Sequence, residues 1–319
     1  MNLLLENVKQ RSGIGQKKDI AAVSRMLSQQ TTVLDYPNGD DCAVIKRDDG
    51  YGLVAIEGFM SDFVKRDPWF AGWCGVMVNL SDIAAMGGRA DAVVNALWAK
   101  DEAAMVPIME GMVAASDTYG IPIVGGHTHL KGKNQQLAVS IVGHAKSLLS
   151  SFAAKPGQNL IAAIDLRGSF RKPFLNWNAA TTAPAERLRG DIALLPQIAE
   201  SGLAIAAKDI SQAGLFGTIL MLLESSSVGA SIQLGAIPKP LGVDWEDWLC
   251  AFPSFGFILT ADDEQLPQLL SCFEARQIAA AKIGEITDSE QLWVHGDGNA
   301  HLFWDLNETS LTELKQNFL

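Results

Sequence analysis

The chain has 319 residues, of which 48% are hydrophobic, and a formal net charge of −11. This length can hold two domains with separate cores, and the hydrophobic content excludes an intrinsically disordered protein. The negative charge argues against nucleic acid and anionic membranes as partners, and no apolar run reaches the roughly 18 residues of a membrane span. The four cysteines are scattered, without the spacing of a metal site, which favours reduced thiols and a cytoplasmic location.

The N-terminal region is predicted to be mainly helical. Within it, the segment Arg11–Lys17 (RSGIGQK) carries two glycines and basic residues, and we interpret it as a loop before a helix at about Asp19–Gln29. Backbone N–H groups of such a loop can hold phosphate, which makes Lys17 a candidate catalytic residue. The spacing differs from that of a P-loop, so a plain surface loop is the alternative.

Two adjacent carboxylates, Asp40 and Asp41, lie in a predicted turn that starts at Pro37. Two β-rich runs follow this turn and are separated by a hairpin signal: Cys42–Lys46 and Gly52–Glu57. We therefore expect both aspartates at the mouth of a strand and Glu57 at the end of the next strand. Surface turns often carry such acidic pairs, so a solvated turn is the alternative to a ligand site.

The stretch Trp69–Gly88 is predicted to be the helix around which the first half is organised, because its small and apolar residues allow another backbone to approach. Asn79 and Asp82 are three residues apart and share one face of this helix. The final glycine pair favours the left-handed stop that ends many helices. Asp82 lies in the last turn, where the helix dipole disfavours a carboxylate by roughly 0.3–1 kcal/mol. We expect a cation beside it; a solvated aspartate is the alternative.

The rest of the first half alternates strands with one helix. Strands are predicted at Asp91–Ala99, Ile121–Val124 and Gln136–His144, and the periodicity of Glu102–Tyr119 predicts a helix. Gly125–His129 (GGHTH) is interpreted as a glycine elbow that carries two imidazoles. A His-x-His pair can bind a transition metal, but without a third ligand a polar elbow is the alternative.

The second half is predicted to form another α/β domain, and we place the boundary between domains at 1–150 and 151–319. Residues 168–190 are interpreted as a mobile loop and the start of a helix. Asp209 follows a predicted strand at Leu203–Lys208 and precedes a predicted helix at Phe216–Ser225. It is therefore placed either to cap that helix or to meet a ligand at the end of the strand.

Four segments occur in an order and spacing that are typical of one protein superfamily. They are GDDCAVI from Gly39, VNLSDIAAMG from Val78, GGHT from Gly125 and KDISQAGL from Lys208. Together they resemble aminoimidazole ribonucleotide (AIR) synthetase and its relatives, which include thiamine-monophosphate kinase, selenophosphate synthetase and the hydrogenase-maturation dehydratase. The first half resembles the thiamine-monophosphate kinase type most. The resemblance implies two α/β domains, with an N-terminal mixed sheet that pairs across a two-fold axis into a homodimer barrel.

The resemblance also implies a cofactor and its ligands. In this superfamily ATP lies between the two domains and against the dimer partner, with aspartates holding Mg²⁺ on its phosphates. The matching metal ligands here are Asp40, Asp41, Asp82 and Asp209, with Glu57 near the place of a further family aspartate. The matching cofactor-binding residues are Asn79, Gly125, Gly126, His127 and Thr128.

His127 departs from the pattern of the superfamily. Relatives close to the kinase carry GGDT where this chain has GGHT. Replacing a carboxylate by imidazole removes a hard oxygen ligand of the kind that Mg²⁺ prefers. We therefore expect one metal position to be lost or retuned toward Mn²⁺ or Zn²⁺.

The leading functional hypothesis is an ATP-dependent enzyme that transfers or uses the terminal phosphoryl group of ATP on a small molecule with Mg²⁺. Asp209 and Lys17 are its predicted catalytic residues. One alternative is a nucleotide-binding subunit or sensor without catalysis. The other is an ATP-independent metal enzyme that uses Glu57, His127 and His129.

Overall fold

The computed structural model describes residues 1–27 and 36–314, apart from the side chain of residue 12. The chain is a mixed α/β protein that divides into two compact units. We call Asp41–Leu148 with Ala183–Gln197 the five-strand unit. The seven-strand unit comprises Met1–Asp40, Leu149–Thr182 and Ile198–Leu319. An α/β fold with two domains is confirmed.

The helices of the described residues are α1 (Asn2–Gln10), α2 (Ser12–Lys17), α3 (Ile20–Leu27), α4 (Ser61–Arg66), α5 (Pro68–Ala85), α6 (Glu102–Tyr119), α7 (Ala185–Ile192), α8 (Leu194–Glu200), α9 (Gly214–Ser226), α10 (Trp245–Leu249) and α11 (Leu266–Glu274). The strands of the described residues are β1 (Ala43–Arg47), β2 (Gly50–Phe59), β3 (Arg89–Trp98), β4 (Ile123–His129), β5 (Gln136–Ala145), β6 (Asn159–Ile164), β7 (Ser169–Phe170), β8 (Asn176–Asn178), β9 (Ala206–Asp209), β10 (Gly229–Gln233), β11 (Phe252–Pro253), β12 (Gly256–Ala261), β13 (Ala279–Thr287), β14 (Gln291–Gly296) and β15 (Asn299–Asp305).

The units are not continuous in the chain. The chain leaves the five-strand unit after Leu148 and enters the seven-strand unit at Leu149, close to the predicted domain boundary between residues 150 and 151. However, helices α1–α3 belong to the seven-strand unit, and helix α7 belongs to the five-strand unit. Buried side chains explain why the N-terminal helices belong to the seven-strand unit. Leu5, Val8 and Ile14 lie in the same hydrophobic cluster as Phe216 and Leu220 of α9. The contiguous domains 1–150 and 151–319 stay a prediction.

The five-strand unit contains a mixed sheet in the order β1-β2-β5-β3-β4, in which only β3 and β4 run parallel. Helix α5 packs on one face of this sheet and against α6. The α5–α6 contact depends on two glycines, because a Cβ at Gly72 would lie 1.9 Å from the carbonyl oxygen of Ile108, and a Cβ at Gly111 1.8 Å from that of Trp69. The small residues noted in the sequence thus serve close backbone packing.

Two predicted helices are confirmed with their ends. Helix α5 starts at Pro68, after Asp67 accepts a hydrogen bond from the backbone N–H of Phe70. It ends where Gly87 adopts φ +74°, and the N–H of Gly88 donates to the carbonyl of Ile83. This is the left-handed stop expected from the glycine pair. The predicted and observed bounds of α6 agree.

The predicted glycine elbow at Gly125–His129 is wrong. These residues form the second part of strand β4, which continues to His129 and pairs in parallel with β3 at the edge of the sheet. The strand is largely exposed, whereas the sequence had suggested a short buried strand at Ile121–Val124. The hydrogen bonds of β3 give the backbone of GGHTH regular partners, so the glycines do not produce a turn.

The loop predicted at Arg11–Lys17 is also wrong, since Ser12–Lys17 form helix α2. Gly13 packs so tightly that a Cβ there would lie 2.2 Å from the carbonyl oxygen of Gln212. Ile14 next to it is buried. This tertiary packing outweighs the low helix propensity of two glycines. Helix α3 fits the predicted helix at Asp19–Gln29, whose last two residues lie outside the described ranges.

The seven-strand unit contains a sheet in the order β15-β14-β10-β13-β6-β12-β9, with a small sheet β11-β8-β7 beside it. Part of the predicted loop 168–190 is structured, because β7 and β8 form an antiparallel pair within it. Helix α7 supplies the predicted helix start. Strand β9 ends at Asp209, ahead of α9. Among the described helices, none combines the length and apolar character needed to cross a membrane.

Candidate metal and nucleotide site

Helix α5 brings Asn79 and Asp82 to one buried face of the five-strand unit. Asn79 is fully buried, and its Nδ2 donates to the carbonyl of Gly75, one turn earlier, at 2.8 Å. Among the described residues, the Oδ1 atom of Asn79 accepts no hydrogen bond. A buried amide oxygen without a donor costs free energy, and a cation or a ligand hydrogen would remove that cost.

Asp82 shares its site with a second carboxylate, that of Asp41. An oxygen of each lies within 4.8 Å of an oxygen of the other, and Asp82 is only 5% exposed. A cation with Mg²⁺–O bonds of 2.0–2.1 Å bridges oxygens up to about 4.2 Å apart, so small side-chain rotations suffice to share one ion. Two close carboxylates at the negative end of a helix favour cation binding, because each anion raises the electrostatic cost of the other.

Asp40 faces different partners from those of Asp41, although the two residues are adjacent. Its Oδ2 accepts from Ser150 Oγ at 2.6 Å and from the Ser151 backbone N–H at 3.0 Å. Its Oδ1 accepts from Ser151 Oγ at 2.6 Å and from the same N–H at 3.3 Å. Both carboxylate oxygens are therefore used within the seven-strand unit. The sequence offered no signal for the two serines, which follow Asp40 by more than a hundred residues.

Glu57 lies on the face of the five-stranded sheet that α5 covers. It is half-buried and stands in one cross-strand row with Val139, Asn95 and Gly126. The same Val139 approaches α5, where a Cβ added at Gly75 would lie 2.9 Å from its Cγ2. Glu57 thus shares the sheet face of the helix that carries Asp82, and its role as a metal ligand stays a prediction.

His127 lies on the opposite, exposed face of the same sheet. It stands in one row with Ala96 and Ala138, and its ring centroid lies 6.0 Å from that of Trp98. His129 follows two residues later and is also exposed. The predicted nucleotide-binding role of GGHT therefore concerns an exposed edge strand, and it stays a prediction.

Asp209 and Lys17 belong to the seven-strand unit. Asp209 ends β9 and is 4% exposed, and its backbone carbonyl accepts from Thr218 Oγ1 at 3.3 Å. Helix α9 begins five residues later with Ala213 as N-cap residue, so the helix-cap interpretation of Asp209 is wrong. Lys17 is half-buried at the end of α2, one helical turn beyond Gly13.

Arg11, the other basic residue of that segment, is engaged in ion pairs. Its Nη2 lies 2.5 Å from Glu246 Oε1 and 3.6 Å from Asp247 Oδ1. Asn7 Nδ2 also donates to Glu246, at 2.8 Å. These hydrogen bonds, first from Asn7 and then from Arg11, lower the pKa of Glu246. Arg11 therefore holds α10 in place, which leaves Lys17 as the phosphate candidate of this segment.

Comparisons with known proteins cover both halves of the chain. Residues 39–145 match the family described as "AIR synthase related protein, N-terminal domain", and residues 175–296 match its C-terminal domain. An uncharacterized protein of Synechocystis sp. is 43% identical over 97% of both chains. A "Thiamine-monophosphate kinase" of Methanospirillum hungatei is 27% identical over 81% of this chain and 89% of its own.

Solved structures show the same fold. "T. maritima PurL complexed with ATP" matches with a TM-score of 0.71 and 17% identity over 89% of this chain, which spans only 49% of that PurL chain. "AaThiL complexed with AMPPCP and TMP" matches with a TM-score of 0.66 and 19% identity over 88% of this chain and 92% of its own. Both halves of the sequence, the relatives and the fold agree, and the chain belongs to the AIR synthase related protein family.

Proposed function

We propose that this protein binds ATP with Mg²⁺ and transfers or uses the terminal phosphoryl group on a small-molecule substrate. One observation carries the proposal: a buried carboxylate, Asp82, stands in the last turn of α5 with an Asp41 oxygen within 4.8 Å. The fully buried Asn79 on the same helix face leaves its amide oxygen available. Oxygen donors of this kind are the ligands that Mg²⁺ prefers.

The proposed residue roles follow from charge. Asp41 and Asp82 would hold Mg²⁺, which when bound neutralises phosphate charge during phosphoryl transfer. On the resemblance alone, Asp209 is proposed as a further ligand and catalytic residue and Lys17 as a phosphate contact. Glu57 is proposed as an outer ligand, because it lies on the sheet face that α5 covers.

The relatives support ATP as the cofactor. The solved structures include PurL with ADP and with ATP and a ThiL protein with AMPPCP, and the relatives include proteins named selenide, water dikinase and thiamine-monophosphate kinase. This chain spans about half of the PurL chains, so the proposal does not include their activity. The substrate is proposed only as a small molecule.

Asp82→Asn tests the metal site. It keeps the shape of the side chain and removes the charge, so Mg²⁺-dependent ATP binding should weaken by about 1–3 kcal/mol, the cost of losing a charge-assisted contact. The fold should survive, because the helix end disfavours the carboxylate. The measurement is calorimetric titration with ATP and Mg²⁺. Asp48→Asn, an exposed aspartate in the turn between β1 and β2, is the matched control. Equal ATP affinity in Asp82→Asn and wild type would refute the assignment.

Thermal stabilisation and product release, measured on the wild-type protein, distinguish the alternative functions. ATP-dependent thermal stabilisation that requires Mg²⁺, together with phosphate or ADP release against a panel of metabolites, supports the enzyme. Stabilisation without turnover on any metabolite indicates a nucleotide-binding subunit. Stabilisation by Zn²⁺ alone, without any effect of ATP, indicates a metal enzyme.

A further inference from the structure

We propose that Asn95 is a specificity-determining residue whose side-chain amide hydrogen-bonds a planar ligand group with a donor beside an acceptor. Asn95 lies in β3, on the sheet face that α5 covers, in the cross-strand row of Glu57, Val139, Asn95 and Gly126. All residues that carry the inference belong to the five-strand unit. It rests on the proposed function in so far as the group belongs to a ligand of that site.

The amide of Asn95 is buried, but the protein gives it no partner. Its neighbours on the same face of β3 are the buried apolar residues Val93 and Leu97, so the alternation of the strand favours an apolar residue at position 95. Asn95 is only 9% exposed, and within the described ranges its side chain forms no hydrogen bond. A buried amide without a partner costs free energy, and a ligand that supplies the missing hydrogen bonds would remove that cost.

The neighbouring strand leaves space for this amide. Gly126 of β4 stands beside Asn95, and a Cβ at Gly126 would lie 2.4 Å from Asn95 Oδ1. The amide therefore reaches over the bare backbone of β4, which is an edge strand and is exposed from Val124 to His129. A ligand can approach the amide from this edge of the sheet.

Thr128 adds a second hydrogen-bonding group to the same edge. It lies two residues after Gly126, is exposed on the same sheet face and pairs with Leu97. We call Asn95, Gly126 and Thr128 the amide site. A carboxamide carries a donor and an acceptor side by side, so it complements a nucleobase edge or a cyclic amide, as asparagine does when it binds N6 and N7 of adenine.

The amide site lies within reach of the proposed metal ligand of α5. Val139, the neighbour of Asn95 in the row, contacts this helix, since a Cβ at Gly75 would lie 2.9 Å from Val139 Cγ2. Asp82 follows Gly75 by two helical turns, so Asn95 and Asp82 are separated by on the order of 10–15 Å. Two ligands can span this distance: ATP, through its base, or a phosphoryl acceptor with an amide-like group.

Asn95→Leu separates ligand recognition from a structural role. Leucine is similar in size and removes both the donor and the acceptor. The melting temperature, followed by circular dichroism, should equal or exceed that of wild type, because an apolar group replaces a buried polar group without a partner. Ligand binding should nevertheless weaken. Asn95→Ala gives the same comparison if leucine prevents folding, and Asn134→Ala, at an exposed asparagine of the same unit, is the control.

Two binding measurements distinguish the sources of the planar group. The first is calorimetry of ATP and ITP with Mg²⁺, since the base of ITP carries a carbonyl oxygen in place of the amino donor of adenine. If the base is the source, wild type should bind ATP about tenfold or more tightly than ITP, and Asn95→Leu should lose this preference. The second is saturation-transfer nuclear magnetic resonance of uracil and nicotinamide with AMPPCP and Mg²⁺ present. If the acceptor is the source, these probes should bind wild type and not Asn95→Leu, while ATP and ITP bind both proteins alike.

The inference is overturned if neither the preference for ATP over ITP nor the binding of uracil and nicotinamide depends on Asn95. A lower melting temperature of Asn95→Leu with unchanged binding would assign the residue to folding alone. A wild-type chain that binds neither nucleotide refutes the proposed function. The inference then stands if uracil or nicotinamide binds wild type and not Asn95→Leu, and falls if it does not.

Discussion

Asp82 illustrates how one residue can be unfavourable for the fold and favourable for a ligand. Burial, the negative end of α5 and the nearby Asp41 all oppose its charge. A bound cation would offset these costs through its direct attraction to the carboxylate. The same reasoning applies to Asn79, whose buried amide oxygen gains an interaction only when a ligand is present.

A second prediction for a single residue concerns His127. His127 and α5 lie on opposite faces of the sheet. The resemblance nevertheless places an aspartate at this position and the nucleotide against the dimer partner, so His127→Asp should strengthen Mg²⁺-dependent ATP binding about tenfold by returning a charged oxygen ligand. His129→Asp is the matched control, because it adds the same charge on the same strand two residues later. Calorimetry checks both variants. An affinity that does not change in His127→Asp would show that GGHT does not contact the nucleotide site.

At the scale of the element, the contact of α10 with the N-terminal helices should depend on pH. Hydrogen bonds from Asn7 and Arg11 lower the pKa of Glu246. A carboxyl group whose folded pKa is depressed contributes stability above its unfolded pKa and loses that contribution as pH falls through the folded value.

Glu246→Gln tests this pH dependence. The variant should melt below wild type at pH 7, and the difference should shrink as pH falls through the lowered pKa of Glu246 and vanish once that carboxyl is protonated. Thermal unfolding followed by circular dichroism measures it, with Glu264→Gln, an exposed glutamate of the same unit, as control. A melting difference that persists at low pH would mean that packing, and not charge, is responsible.

At the scale of the whole molecule, we propose a homodimer through the exposed face of the five-stranded sheet. Aliphatic side chains from several strands are exposed, although a water-facing sheet surface favours polar residues. They are Ile45 of β1, Ile56 of β2, Val94 of β3, Val124 of β4 and Val142 of β5. Ile56 and Val94 stand in one cross-strand row with Ser140 between them, and the Ser140 hydroxyl donates to the carbonyl of Ala55.

Ile56→Asp should dissociate this dimer, because it places a charge within the proposed interface. Sedimentation velocity at micromolar concentration should show a dimer for wild type and a 34.3 kDa monomer for the variant. Leu241→Asp, which adds a charge at a fully exposed leucine of the seven-strand unit, should remain dimeric. A wild-type chain that sediments only as the monomer would contradict the proposal.

The sequence by itself determined the elements whose signals are local. The ends of α5 and α6 follow from Asp67, Asp101 and the glycines after each helix, because caps act within one turn of the helix. The order and spacing of the four motifs determined the family. The shared face of Asn79 and Asp82 followed from helical geometry alone.

Only the tertiary structure decided the features that depend on residues far apart in the chain. GGHTH became a strand because β3 supplies its hydrogen bonds, and Ser12–Lys17 became a helix because Gly13 packs against Gln212. Asp40 and Asp41 are equivalent in the sequence, but the donors that bind Asp40 lie more than a hundred residues away. Local patterns carry no information on such contacts, because chain folding, and not spacing along the sequence, brings these groups together.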